Sequence, residues 1–140
     1  MEKNKVVIGF IGAGGIARSH AFSLNSLKFY YPDAPEVELA AVSSARKESR
    51  DLFAARYGFQ RACPPEELLT DERISTVFIL GPNNVHYEHF KAAAAMDHVK
   101  KIYLEKPVCS NSEEEAGIRS IMTSRPGLQV QVGFQYLYTS

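Results

Sequence analysis

Residues 6–20, VVIGFIGAGGIARSH, pass from an apolar run through a cluster of glycines into a segment of helical character. Val6, Val7, Ile8, Phe10 and Ile11 have the near-continuous apolar composition of a strand buried on both faces of a parallel sheet. Gly12 lets the main chain turn sharply where that run ends. Gly14, without a Cβ, leaves room for a pyrophosphate to approach the backbone. The helix opening behind it offers unpaired N–H groups and a positive dipole end to such an anion. Ala17 takes the third small-residue position and keeps helix and strand close, so Gly12-Ala13-Gly14-Gly15-Ile16-Ala17 fits G-x-G-x-x-[G/A]. No proline interrupts the following segment before Pro32. Directly behind an apolar strand, the pattern reads as a dinucleotide-binding turn rather than a tight turn that binds nothing.

The rest of the chain repeats the alternation. After a loop around Tyr30 to Pro35, Val37 to Val42 reads as a second strand. Lys47 to Tyr57 reads as a helix with Leu52, Phe53 and Ala55 at helical spacing and Gly58 as its C-cap. Phe59 to Ala62 suggests a short third strand, and Pro64-Pro65 a helical turn through Leu69. Thr76 to Leu80 is a buried strand ending at Gly81-Pro82-Asn83-Asn84, and a helix carrying Phe90, Ala92 to Ala95 and Met96 follows. Ile102-Tyr103-Leu104 is the next strand. Ser110 to Glu115 holds overlapping capping-box patterns for a helix with Ile118, Ile121 and Met122, and Gln129 to Gln135 alternates like a final strand. About six strands separated by helices imply an α/β fold, a doubly wound parallel sheet of the Rossmann type, in one domain over residues 1–140.

Composition narrows the function. The chain of 140 residues carries 16 Lys plus Arg and 16 Asp plus Glu, nine basic against eight acidic up to Thr70 and seven against eight beyond. Neither half is charged in a way that suggests nucleic acid or an anionic membrane. Cys63 and Cys109 lie far apart without metal-ligand spacing, so reduced thiols in a cytoplasmic protein are expected. The opening MEKNK and its glycine-broken apolar stretch do not read as a membrane span or leader. His86 and His89 are three apart on one helix, but no third ligand supports a metal site; His20 and His98 read as ordinary surface or helix-end residues.

The fifth strand runs into Glu105-Lys106-Pro107, which should set Lys106 at the carboxyl edge of the sheet, where ligands of such folds bind. GAGGIA, AVSSARKE, AARYG, ILGPNNVHYEHF, YLEKPV with EEEA after it, and VGFQY occur in the order typical of the Gfo/Idh/MocA oxidoreductases, and the chain resembles that family along its whole length. The resemblance implies an NAD(P)-dependent dehydrogenase acting on a sugar, polyol or related carbonyl compound. By that likeness Lys106 would be the catalytic residue. It would hydrogen-bond the reacting oxygen and assist proton transfer, with burial lowering its pKa. Pro82, Asn83 and His86 match the family's P-N-x-x-H stretch beside the cofactor, though His86 reads more as a packing or capping residue than a chemical one. With Gly12, Ala13, Gly14, Gly15, Ile16, Ser43, Ser44, Arg46, Gly81, Glu105, Lys106 and Gln135 they form the expected cofactor-binding set.

An NAD-specific site usually ends the second strand with an acid that holds both ribose hydroxyls and repels a 2′-phosphate. Ser44 stands there, with Ala45, Arg46 and Lys47 next, so NADP is favoured and NAD remains a candidate. Arg46 lies one residue later than the family's usual arginine, and a solvated helix start is its plain alternative. Full-length family members add a C-terminal domain that shapes the substrate pocket and makes the dimer. The likeness therefore implies a lone cofactor domain, with about 136–140 the start of the crossover to the absent part. It also implies cofactor binding without turnover, a homo-oligomeric full-length protein, and a monomeric fragment. A non-catalytic NAD(P)-sensing module of the same fold is the alternative function. An S-adenosylmethionine-dependent methyltransferase fits poorly, because Glu105-Lys106-Pro107 would go unexplained.

Overall fold

The apolar run at the N-terminus forms β1 (Lys5–Ile11), and the glycine turn delivers the chain into α1 (Gly15–Tyr30) in a computed structural model that describes residues 4–134. β2 (Glu36–Ser43) and α2 (Lys47–Tyr57) follow, and Gly58 closes α2 in the left-handed conformation with its N–H on the Ala54 carbonyl. β3 is confined to Arg61–Ala62, because its ladder to β2 spans only Ala41 and Val42. α3 (Pro65–Leu69), β4 (Thr76–Ile79), a 3₁₀ turn over Asn83–Val85, α4 (His86–Ala94), β5 (Lys101–Leu104), α5 (Ser112–Ser124) and β6 (Gln129–Val132) complete the order. All pairings are parallel and the strands lie β3-β2-β1-β4-β5-β6, the doubly wound order in which direction of progression reverses between β1 and β4.

Alternation along the strands feeds two cores. Ile8 and Phe10 of β1 pack with Ala17 and Ala21 of α1 and with Phe53 and Ala54 of α2; Ile11 packs on the other face with Leu68, Phe90 and Ile118 of α3, α4 and α5. Phe10, Phe78 and Tyr103 are register partners on β1, β4 and β5, and their rings stack at 5.0 and 4.9 Å across the sheet. The inner face of α2 differs from expectation. Leu52 is 66% exposed and Ala55 is exposed, while Phe53 and Ala54 meet the sheet. Of the overlapping capping patterns before α5, the chain uses Asn111, whose side chain accepts from the Glu114 N–H while the Glu114 carboxylate accepts from Ser110 N–H. Among the described residues no helix is long and apolar enough to cross a membrane.

Candidate functional site

β1, β2 and β4 end together at the carboxyl edge of the sheet, and the loops that leave them border a cavity of about 600 Å³. It lies at the β1/β4 reversal, the crevice where open α/β sheets bind ligands. The glycines around it serve two purposes. Gly12 has φ +127°, and a Cβ there would come within 2.5 Å of the Leu80 carbonyl carbon and 2.7 Å of the Gly81 nitrogen. A Cβ on Gly14 or Gly15 would meet nothing within 4 Å, so the space above them is open. α1 begins at this opening with Gly14 as its N-cap, no side chain capping it and no acidic residue in its first turn. The first intrahelical bond runs from Arg18 N–H to Gly14 O, which leaves the N–H groups of Gly15, Ile16 and Ala17 without an intrahelical acceptor.

The end of β2 forms the adjoining wall. Gly12 N–H donates to Ser43 O at 2.8 Å, which ties the glycine turn to β2. Ser43 is fully buried, yet its hydroxyl has no hydrogen-bond partner, and neither does Nδ1 of His89 across the cavity. Each orphaned polar atom costs roughly 1–3 kcal/mol, which a polar ligand reaching it would recover. The β2–α2 connection is pinned: the Ser44 hydroxyl donates to Arg46 O at 3.1 Å, and Arg50 Nη1 donates to Ser44 O at 3.1 Å. No Asp or Glu stands among the described residues lining the cavity.

Gly12, Ala13, Gly14, Gly15, Ile16, Ser43, Ser44, Arg46, Gly81 and Pro82 line this cavity together. Four other expected positions do not. Asn83 is exposed in the 3₁₀ turn, and its neighbour Asn84 lines the cavity instead. His86 is 1% exposed, with Nδ1 2.7 Å from Pro107 O and Nε2 2.7 Å from Gly81 O; both ring nitrogens are engaged by backbone, so it braces two loops and leaves the cavity to His89. Glu105 is 7% exposed and accepts from Tyr103 Oη at 3.3 Å, with His20 Nε2 3.6 Å away. Lys106 follows β5 with a cis bond to Pro107, and it is exposed, not buried as expected. Gln135 lies outside the described residues.

His20 is a correction to the surface reading. It lies three residues after buried Ala17 on the inner stripe of α1, and its ring packs edge-on to Phe78 at 5.5 Å and Tyr103 at 4.7 Å. That helical spacing was the available signal, and the contact with Glu105 is visible only in three dimensions. Pro65, Leu80, Val85 and His89 also join the cavity; Val85 and His89 sit four apart, one helical turn. Among the described residues no three His, Cys, Asp or Glu could hold a metal ion.

Burial is the main cause that lowers both the His20 and His89 pKa values from 6.5; Glu105 opposes it at His20, whereas His86 adds to it at His89. The unfolded chain therefore binds more protons than the folded one once pH falls below 6.5. Stability contributed by the neutral rings is complete above that value and declines as pH drops toward their lowered folded values. Thermal melts between about pH 7 and about 5.5 should show Tm falling, with a smaller fall in His89→Gln; an equal fall in the variant would refute this.

The family model described as an oxidoreductase family with an NAD-binding Rossmann fold matches residues 6–134. A glucose-6-phosphate 3-dehydrogenase of Bacillus subtilis (strain 168) is 32% identical over 133 residues, 95% of this chain and 35% of that protein. A scyllo-inositol 2-dehydrogenase (NADP(+)) of the same organism is 32% identical over 83 residues, 59% of this chain and 25% of that one. The crystal structure of an NAD binding oxidoreductase from Klebsiella pneumoniae superposes with TM-score 0.87 at 28% identity, covering 96% of this chain and 36% of that one. The chain spans about a third of the length of the first of these relatives.

Proposed function

We propose, from the premise that this chain belongs to the Gfo/Idh/MocA oxidoreductase family with its NAD-binding Rossmann fold, that it holds NADP in preference to NAD for a dehydrogenase of sugars, polyols or related carbonyl compounds. The observation that carries this reading is the cavity at the β1/β4 reversal, where open glycines, uncapped first-turn N–H groups and the orphaned Ser43 hydroxyl converge. Such a surface fits a dinucleotide: donors for a pyrophosphate, hydroxyls for a ribose, and apolar Leu80, Pro82 and Val85 against flat rings. The absence of any carboxylate among the described lining residues, with Arg46 present, supports NADP, and one relative carries NADP(+) in its name.

When bound, the nicotinamide supplies the hydride chemistry. The chain's own part is to bind and orient it. The backbone at Gly14 and Gly15 takes the phosphates; Ser44 and Arg46 take the adenosine ribose; Lys106, exposed at the end of β5, hydrogen-bonds the reacting oxygen and moves its proton. In this reading residues 1–140 are one cofactor domain of an enzyme whose substrate site and subunit contacts belong to a further domain. The greater length of the relatives supports that division. Turnover needs that second half, because hydride transfer requires a positioned substrate.

Calorimetric titration with NADPH and NADH tests the reading. NADPH should bind more tightly, and Arg46→Ala should weaken it by about 10- to 100-fold, the equivalent of a ~1.5–3 kcal/mol charge-assisted contact, while sparing NADH. Equal losses would remove Arg46 from the argument, a preference for NADH would overturn NADP, and binding of neither would overturn the function.

A further inference from the structure

A second cavity of about 460 Å³ lies beside the first, between α1 and α2, and Ala13, Gly14, Arg46 and Ser49 border both. Arg18, Arg56 and Tyr57 complete its polar lining, so three arginines border one groove. Their neighbours in the chain are spoken for: Arg50, Arg61, Arg73, Arg119 and Arg125 all donate to carbonyl or carboxylate oxygens. Arg18, Arg46 and Arg56 make no side-chain hydrogen bond or ion pair among the described residues. No Asp or Glu lines the groove, and the nearby Asp51 carboxylate is paired with Lys47 at 2.6 Å.

Three unpaired cations around one depression repel one another unless an anion joins them, and the fork of each guanidinium matches a phosphate edge. The groove opens onto Gly14, where the proposed function seats a pyrophosphate, and the adenosine ribose of the same ligand lies against the adjoining β2–α2 loop. We propose that Arg18 and Arg56, with Arg46, seat the ribose 2′-phosphate of NADP, and so determine cofactor specificity from the two helices rather than from the end of β2 alone. This inference rests on the dinucleotide reading. Arg18 sits one helical turn past Gly14, Arg46 is the N-cap of α2 and Arg56 lies in its last turn, so the phosphate would tie α1 to both ends of α2. For Arg56 the competing account is a plain favourable charge at a helix C-terminus, which would not respond to the ligand.

The test uses fragments that differ only in the 2′-phosphate. Adenosine 2′,5′-bisphosphate and 5′-AMP are titrated into the chain and into Arg18→Ala and Arg56→Gln, with circular dichroism verifying the fold of each variant. The bisphosphate should bind at least about tenfold more tightly than 5′-AMP, and each variant should lose about tenfold toward the bisphosphate with 5′-AMP unchanged. An unchanged ratio in both variants overturns the proposal while leaving the NADPH preference standing. So does an equal loss of both nucleotides, which would make the groove a general adenylate contact. Inorganic phosphate binding as tightly as the bisphosphate would assign the groove to free anions and also overturn it. If neither nucleotide binds, the dinucleotide reading itself fails and the proposal with it.

Discussion

Gly12→Ala should cost the fold about 3 kcal/mol or more and lower Tm by roughly 10 °C. Two independent penalties combine there. The φ of +127° lies where a side chain is strained by ~1–3 kcal/mol, and the added methyl would overlap main-chain atoms of Leu80 and Gly81 that have no rotamer to escape into. Overpacking adds a further ~1–3 kcal/mol, and relief by backbone movement would pull Gly12 N–H off Ser43 O. The same substitution two residues later should behave oppositely. Gly14→Ala places its methyl in open space at an N-cap with φ −92°, so the loss should be no more than about 1 kcal/mol, the cost of alanine at an N-cap, while on the proposed reading NADPH affinity should drop as the methyl enters the space assigned to the phosphates. Thermal melts and titrations on the two variants separate the roles. A Gly12→Ala melt within a degree or two of the parent would show that the turn is more pliable than its contacts indicate.

His86→Ala should destabilise by about 2–4 kcal/mol in urea unfolding, the second-largest effect expected here. Removing the ring takes a hydrogen-bonding group from between the Gly81 and Pro107 carbonyls, each 2.7 Å from a ring nitrogen, and leaves a void among buried side chains. The loss should also be local in a diagnostic way. Amide hydrogen exchange ought to accelerate in residues 81–84 and 106–109 together, because one side chain holds both loops, and little elsewhere. His86→Gln retains hydrogen-bonding capacity and should recover part of the stability. A loss under 1 kcal/mol, or faster exchange in only one loop, would show that the two segments are not braced through this ring.

Short-range chemistry was legible in the sequence wherever a backbone requirement selects a residue type. Gly12 needs a positive φ, Gly58 takes the left-handed cap, Pro65 opens a helix, and apolar continuity marks β1 and β4; each feature is local, so each could be read in order. Helix faces were less legible. Leu52 and Phe53 are equally apolar, and only the position of the sheet decides that Phe53 turns inward. Through-space partnerships were not legible at all. Nothing near Glu105 in the chain announces His20, and nothing near His86 announces Pro107 twenty-one residues later. Within the P-N-x-x-H stretch the sequence did not show which side chains line the cavity: Pro82, Asn84 and Val85 do, while Asn83 and His86 do not, and His89 joins them from α4.

The start of α1 has a further meaning. Among the described helices only α5 has its start capped by a side chain, Asn111; the sixteen-residue α1, like α2, α3 and α4, has no such cap, and at Gly14 its first three amides stand at the open cavity. A phosphate bound there would do what a serine or aspartate does at an ordinary helix start. In folding terms the ligand is then a missing residue of the helix. Free and bound protein should differ less in overall shape than in how firmly the first turn is wound, and its amides are the place to look for occupancy. On the proposed reading, a chain-borne cap at position 14 would relieve the free protein of this defect and weaken its hold on the phosphate, so the open head of α1 would be the form in which affinity is kept.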